Sequence, residues 1–183
     1  MSKIAFVGGK LVDGTGAAPV EDSLVLVDDK KIAYAGPRTE VPEGYEVRDI
    51  QGRTIMPGLI DTHLHFSGNL TDNDNDWVIE SVAQKQACAV KQSWDALSHG
   101  LTTVCEIGRN GIAIRDLVNM GVMEGPRIFA TGLGFCRVAG HGDCHQLPQQ
   151  ISKEGHPWGD QVDGPWDLRK AVRRRLRENP DAI

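Results

Sequence analysis

The chain contains 183 residues with a mass of 20.0 kDa, which leaves room for one ordinary domain or for a small domain beside part of a larger one. Hydrophobic residues make up 40% of the sequence and charged residues 25%, a balance that argues against a disordered or fibrous chain. The formal net charge of −5 argues against a general binder of nucleic acid or of anionic membranes.

The amino terminus and the cysteines indicate the cellular setting. The first residues lack the apolar core of about 7–15 residues that a secretory signal requires, and no apolar run reaches the ~20 residues that span a bilayer. The cysteines at 88, 105, 136 and 144 form no C-x-x-C pair and no regular framework, so free thiols are expected. We therefore expect a cytoplasmic protein with neither a membrane nor a nucleic-acid partner.

Residues 1–56 consist of short apolar runs separated by turn residues, a texture that predicts a small β-module. The expected strands are Ile4–Val7, Leu24–Val27, Lys31–Ala35 and Arg53–Met56. The second and third of these runs are separated only by a short polar turn and therefore predict a hairpin. This module is too small to bury a large core by itself.

From residue 57 to residue 183 the pattern changes to an alternation of strands and helices. The expected strands are Leu59–Thr62, Leu101–Ile107 and Arg127–Thr131, and the expected helices are Trp77–Ser98, Gly111–Met120 and Trp166–Glu178. In the first helix, a face containing Val82, Val90 and Trp94 is expected to be buried, and Gly100 is expected to end the helix. Asp181–Ile183 reads as the opening of a fourth strand. This order predicts a parallel sheet with helical crossovers.

Two histidines carry the clearest chemical signal. Because residues i and i+2 of a strand point to one face, His63 and His65 are expected to project together at the carboxyl end of the strand that begins at Leu59. Two neutral imidazoles provide half of a site for a divalent transition metal such as zinc. Asp61 is expected on the same face as an outer partner. A pair of surface histidines without a metal is the alternative.

Several motifs in chain order resemble the metal-dependent amidohydrolase superfamily. Residues 57–65 read P-G-L-I-D-T-H-L-H, which is similar to the first-strand signature of that superfamily, P-G-[LF]-[IV]-D-x-H-x-H. G-L-T-T-V at 100–104 and G-P-R-I at 125–128 resemble its second and third strand motifs. A-G-H-G-D at 139–143 resembles the G-G-H-G-D loop of the branch that includes imidazolonepropionases and aminoacyl dipeptidases.

The resemblance implies an α/β fold: a small β-sandwich module followed by about the first three βα units of an incomplete TIM-type (β/α)₈ barrel. It implies that His63 and His65 hold a divalent metal, zinc in the first instance, with one or two ions in the complete enzyme. It implies hydrolysis of a carbon–nitrogen bond in a small amide, dipeptide or cyclic amide. We expect His141 to act as a catalytic residue that hydrogen-bonds the substrate carbonyl or orients the attacked group, with a solvated loop histidine as the alternative.

The sequence also departs from the family pattern. Cys105 and Glu106 stand where the branch often has arginine and aspartate. The superfamily's fourth-strand lysine, which bridges two metals, would fall one residue after Ile183, and its later histidines and aspartate have no counterpart here. We therefore expect little hydrolase activity from this chain alone, with a homo-oligomer or a complementing carboxyl-terminal half as partner. The alternative is a truncated or degenerate homologue with a binding or assembly role.

Weaker signals allow other interpretations. The run H-G-D-C-H at 141–145, with Cys136 nearby, is a candidate for a separate zinc knot, although a flexible loop is favoured because the spacing matches no zinc finger. The basic run at 169–177 is interpreted as a solvated helix face rather than a nucleic-acid contact. The stretch from Gly132 to about Gly164 has no periodic pattern, and loops of such length usually carry function.

Overall fold

The structure is a computed structural model that describes residues 2–69, 71, 79–153 and 159–183. The chain separates into two units between Pro57 and Gly58, one residue from the boundary expected from the sequence. Among the described residues, no helix combines the length and the apolar character that crossing a bilayer requires.

The first unit is built on one five-stranded mixed sheet. Its strands are β1 (Lys3–Leu11), β2 (Val20–Asp28), β3 (Lys31–Pro37), β4 (Glu46–Asp49) and β5 (Thr54–Ile55). The order is β3-β2-β1-β4, and β5 also pairs with β1. The predicted hairpin is confirmed, because β2 and β3 pair antiparallel. The second layer of the sandwich expected from the resemblance stays a prediction.

Alternation along the central strand explains the core of this unit. Ala5 and Val7 of β1 are buried together with Leu24 and Leu26 of β2. In β1 the intervening residues are only partly buried, as expected for a strand with one face packed on a core, whereas in β2 the intervening Ser23 and Val25 are buried as well. Strand β4 was not predicted, because its four residues are all exposed and show no apolar pattern.

The second unit confirms the predicted alternation of strands and helices. Its main elements are β6 (Leu59–Leu64), α1 (Val82–Ser98), β7 (Leu101–Glu106), α2 (Gly111–Asn119) and β8 (Arg127–Ala130), followed by β9 (Phe135–Cys136), α3 (Gln149–Lys153), β10 (Asp160–Gln161) and α4 (Gly164–Leu176). Strands β6, β7 and β8 form a parallel sheet with β7 in the middle. The carboxyl ends of these strands therefore lie at one edge, where α/β proteins place ligand sites.

Helix α1 begins later than predicted and buries a different face. The predicted segment from Trp77 lies partly outside the described residues, and the helix starts after Ser81, which forms a capping box with Gln84. Its buried residues are Ala89, Ser93 and Ala96, whereas Val82 and Trp94 are exposed, so the predicted face was wrong. The small side chains let the helix lie close to the sheet. Gly100, at φ +90°, follows the last turn as predicted.

The core of the second unit lies between its sheet and its helices. Buried apolar side chains come from all these layers: Phe66, Ala89, Ala96, Val104, Ile114, Ile128 and Ala130. At the edge beyond β8, Asp181 N donates to Ala130 O at 2.8 Å, and Asp181 Oδ2 accepts from Ala130 N at 2.8 Å. Arg115 also donates to Asp181 at 2.8 Å. The segment from Asp181 thus begins to pair with β8, although no strand forms over residues 181–183.

The long segment after β8 contains regular structure that the sequence did not predict. Strands β9 and β10 pair in parallel through Phe135 with Asp160 and Cys136 with Gln161. Arg175 of α4 is 6% exposed and pairs with Asp160 at 3.1 Å, and with Glu178. The basic run at 169–177 was interpreted as a solvated helix face, and Arg175 departs from that interpretation because it is buried against this ladder.

Candidate metal centre

His63 and His65 lie together at the carboxyl end of β6. They flank Leu64, which packs against the core, and both imidazoles are exposed. The centroids of the two rings are 5.0 Å apart, and the ring planes are at 88° to each other. The structure therefore brings the two predicted metal ligands side by side on the surface opposite the helices.

A hydrogen bond to the backbone fixes the tautomer of His65. Its Nδ1 lies 2.5 Å from the carbonyl oxygen of Ile107, which follows β7. Because a carbonyl oxygen only accepts, Nδ1 carries the proton and the lone pair of the neutral ring resides on Nε2. This is the arrangement that metal-binding histidines commonly have, with one nitrogen on the metal and the other on a carbonyl. The residues present therefore fit half of a zinc site.

Asp61 was expected as an outer partner of the metal site, and in the structure its carboxylate contacts the backbone of His63. A register shift between Asp61 and Leu64 interrupts the pairing of β6 with β7. The Asp61 carboxylate accepts a hydrogen bond from the backbone N–H of His63 at 2.9 Å. It therefore supports the local backbone on which His63 sits, which strict alternation along the strand could not predict.

Within the ranges that the structure describes, no group of three or more histidine, cysteine, aspartate or glutamate side chains gathers closely enough to hold a metal ion. His141 thus does not join His63 and His65 in such a group. The same finding disfavours the zinc knot of Cys136, Cys144 and His145. The described residues contain a pair of candidate ligands rather than a closed site.

Glu106 at the end of β7 is a buried acidic residue whose importance the sequence did not reveal. Its side chain is 0% exposed, and Oε1 accepts a hydrogen bond from Phe66 N at 3.1 Å. Oε2 lies beside the backbone N–H of Gly111 without a hydrogen bond of good geometry. Desolvation by burial raises the pKa of Glu106 to about 7, and the backbone N–H groups of Phe66 and Gly111 act in the opposite direction.

Two glycines make room for this carboxylate. A Cβ atom at Gly108 would lie 2.5 Å from Glu106 Oε1, and one at Gly111 would lie 1.8 Å from Oε2. Both distances are far below van der Waals contact, so the turn between β7 and α2 accepts only glycine here without rearrangement. The spacing of these glycines directly after a strand was the available signal for a close approach.

Exposed His141 sits in a turn that polar contacts close. Asp143 Oδ2 accepts from Ala139 N at 2.8 Å, and Asp143 Oδ1 accepts from Gln161 Nε2 at 2.9 Å. Gln161 belongs to β10, which is tied to α4 through the Asp160–Arg175 pair. The loop that carries His141 is therefore held by contacts distant in sequence, and its histidine lies on the surface.

Comparison with known proteins defines the class to which this fold and site belong. The sequence profile of the Amidohydrolase family matches residues 54–182. The chain therefore belongs to the amidohydrolase family, and the predicted resemblance is confirmed.

Individual relatives share this kinship over the chain. The ochratoxinase of Aspergillus niger is 30% identical over 194 residues, which cover 96% of this chain and 40% of the ochratoxinase. Its crystal structure has a TM-score of 0.75 at 26% identity, covering 98% of this chain and 45% of that chain. The chain thus spans about two fifths of the length of that relative.

Two further relatives match the predicted branch. The structure of a Xaa-Pro dipeptidase with methionine bound in its active site has a TM-score of 0.79 at 26% identity, covering 98% of this chain and 46% of that chain. The imidazolonepropionase of Caulobacter sp. strain K31 is 50% identical over 53 residues, which are 28% of this chain and 13% of that protein. These matches confirm the kinship with imidazolonepropionases and dipeptidases.

Proposed function

We propose that this chain supplies the first part of a metal-dependent hydrolase that cleaves carbon–nitrogen bonds in a small amide, dipeptide or cyclic amide. The paired imidazoles of His63 and His65 carry this proposal, since they lie 5.0 Å apart at the carboxyl edge of a parallel sheet. Membership of the amidohydrolase family and the likeness to a Xaa-Pro dipeptidase support it.

In this proposal each histidine has a defined part. His63 and His65 would hold the metal, and the hydrogen bond from His65 Nδ1 to Ile107 O orients the His65 ring. A bound zinc ion would polarise the scissile carbonyl as a Lewis acid and would lower the pKa of a water molecule bound to it. His141 hydrogen-bonds the substrate carbonyl or orients the attacked group. The turn closed by Asp143 presents His141 on the surface.

The sheet in which the histidines lie belongs, we propose, to a (β/α)₈ barrel preceded by a β-sandwich module. The sheet face opposite α1 and α2 supports this, because Ile60 is 68% and Phe129 50% exposed there. In a complete barrel such side chains fill the interior. The pairing of Asp181 with β8 supports continuation of the sheet by a further strand.

Catalysis in this proposal requires residues beyond this chain. A catalytic zinc site takes three protein ligands and a water, and the described residues offer two adjacent histidines. The purified chain is therefore expected to show no turnover of dipeptides or cyclic amides with added zinc. A complementing half or a second copy is the proposed partner. Robust turnover by the chain alone would contradict this part of the proposal.

Zinc titration of the purified chain tests the proposal. Isothermal calorimetry is expected to show one zinc ion per chain, with affinity reduced at least about tenfold by His63→Ala or His65→Ala, because each removes one of two ligands. His145→Ala, which removes an exposed loop histidine, is the control and should retain binding. Binding that survives both substitutions would favour the alternative of a non-catalytic homologue without a metal at this edge.

A further inference from the structure

Residues 65–67, which follow β6, are contacted by polar groups at the end of β7 and in the turn that leads into α2. Beyond the strand end at Leu64, whose carbonyl accepts from Ile107 N at 2.9 Å, three polar groups of this turn contact residues 65–67. They are the carbonyl of Ile107, the carboxylate of Glu106 and the amide of Asn110. His65 stands at the start of the segment that they hold.

Both backbone polar groups of Phe66, its N–H and its carbonyl, form hydrogen bonds with side chains. Glu106 Oε1 accepts from Phe66 N at 3.1 Å, while Asn110 Nδ2 donates to Phe66 O at 2.8 Å and to Ser67 O at 3.4 Å. Phe66 itself is 1% exposed and packs in the core, so its backbone has little freedom. Because His65 is joined to Phe66 by the peptide bond, these hydrogen bonds also fix the backbone from which the His65 imidazole projects.

By itself, the burial of Glu106 lowers the stability of the folded chain. A carboxylate with 0% exposure loses its hydration, and among the described residues Glu106 accepts one hydrogen bond of good geometry, from Phe66 N, and forms no ion pair. Gly108 and Gly111 both leave the space that it fills. An acidic side chain kept in such a position is better explained by the backbone that it holds than by a contribution to folding.

We propose that Glu106 and Asn110 are positioning residues, which hold the Phe66 backbone from both sides and thereby set the direction in which His65 meets a metal ion. The inference rests on the proposed metal-binding function of His63 and His65. His63 needs no such support, since it lies within β6 and its N–H is held by Asp61. Removing a residue that supports a metal ligand in this way commonly lowers the metal affinity by about 10–100-fold.

The test uses copper(II) as the probe, because among the divalent ions of the first transition row it forms the strongest complexes with nitrogen ligands such as imidazole. Glu106→Ala and Asn110→Ala are each expected to weaken copper binding about tenfold or more, and to shift the electron paramagnetic resonance spectrum from two coordinated imidazoles towards one. Glu106→Gln, which keeps the shape and the accepting oxygen, is expected to stay within about threefold of the original affinity.

Val104→Ala is the matched control, since Val104 is 0% exposed on the same strand and makes none of the hydrogen bonds to residues 65–67. It is expected to lower the stability without changing copper affinity or spectrum. Asn110→Ala keeps the test decisive if Glu106→Ala does not fold. The proposal is overturned if both alanine variants bind as Val104→Ala does, or if Glu106→Gln is no better than Glu106→Ala.

The double substitution of His63 and His65 by alanine separates the two ideas. If it abolishes copper binding while Glu106→Ala and Asn110→Ala bind normally, only the positioning role is wrong. If it leaves copper binding unchanged, the proposed metal function fails, and the positioning role fails with it.

Discussion

The two regions that carry candidate functional histidines are held in place in different ways. At the end of β6, His63 and His65 take their directions from a strand and from the turn after the neighbouring strand. In the described part of the loop around His141 there is a two-residue ladder, and side chains such as Asp143 and Arg175 contact the loop or this ladder. The first arrangement rests on strand pairing together with the polar contacts of Ile107, Glu106 and Asn110, whereas the second rests chiefly on individual polar contacts.

This difference teaches where substitutions act locally and where they act at a distance. Near β6 the sensitive residues are Glu106 at the end of β7, Gly108 in the following turn and Gly111 at the start of α2. Around His141 the sensitive group is Arg175, which lies on a helix and reaches the ladder through Asp160. Substitutions in one region are therefore expected to leave the other unchanged.

The largest expected effect is a pH dependence of stability at Glu106. Burial raises its pKa from 4.5 to about 7, so the folded chain favours the neutral acid. Protonation of Glu106 in the folded chain therefore stabilises the fold, and this contribution is complete below pH 4.5. As the pH rises to about 7 the contribution is lost, and the free energy of unfolding falls by about 3 kcal/mol. Urea unfolding of the metal-free protein at several pH values measures it.

Glu106→Gln is the control for that pH dependence, because glutamine does not titrate. The difference in stability between the original chain and this variant should change across the same pH interval. A difference that stays constant with pH would show that Glu106 does not titrate there. The loop amides around His141 should keep their exchange protection throughout.

A second prediction concerns the space filled by the carboxylate. Gly111→Ala places a Cβ 1.8 Å from Glu106 Oε2 and is expected to destabilise the chain by about 2 kcal/mol through overpacking. Alanine at the first residue of a helix is otherwise favourable, so the loss must come from the clash. In a Glu106→Ala background, Gly111→Ala should be neutral or stabilising, and an additive double-mutant cycle would contradict the assignment.

The strand that carries the two histidines could be predicted from the sequence, whereas the buried residues that support the end of this strand could not. The alternation of β6 and the H-x-H spacing predicted the pairing of His63 and His65, because both depend on local geometry. The burial of Glu106 was not predictable, since an acidic residue at a strand end is usually solvated. Helix α1 shows the same limit, because apolar spacing suggested a start at Trp77, whereas the capping box of Ser81 and Gln84 marks the observed one.

The loop around His141 was beyond prediction for a related reason. Strands β9 and β10 contain two residues each, too few for a periodic pattern. Arg175 lies in a run of basic residues that resembles a solvated face, and only the fold shows that its guanidinium is buried beside Asp160. Contacts between residues far apart in sequence decide this region, and no local motif records them.

The smallest expected effect concerns that guanidinium. Arg175→Met removes its pairs with Asp160 and Glu178, and since both carboxylates are 41–51% exposed, the expected loss of stability is only about 1–2 kcal/mol. Hydrogen exchange should accelerate at the amides of Asp160 and Val162, which bond across the β9–β10 ladder. Arg174→Met, at an exposed neighbour, should change neither quantity. Unchanged exchange in Arg175→Met would show that the ladder does not depend on Arg175.

X-ray absorption at the zinc edge tests most directly whether the metal lies at β6 rather than in the cysteine-containing loop. We expect the zinc-loaded chain to show two imidazole nitrogens at about 2.0–2.1 Å and no sulfur ligand, with both imidazole signals lost when His63 and His65 are replaced by alanine. Sulfur at about 2.3 Å, which Cys136 or Cys144 would supply, or a spectrum unchanged in the double variant, would contradict the assignment.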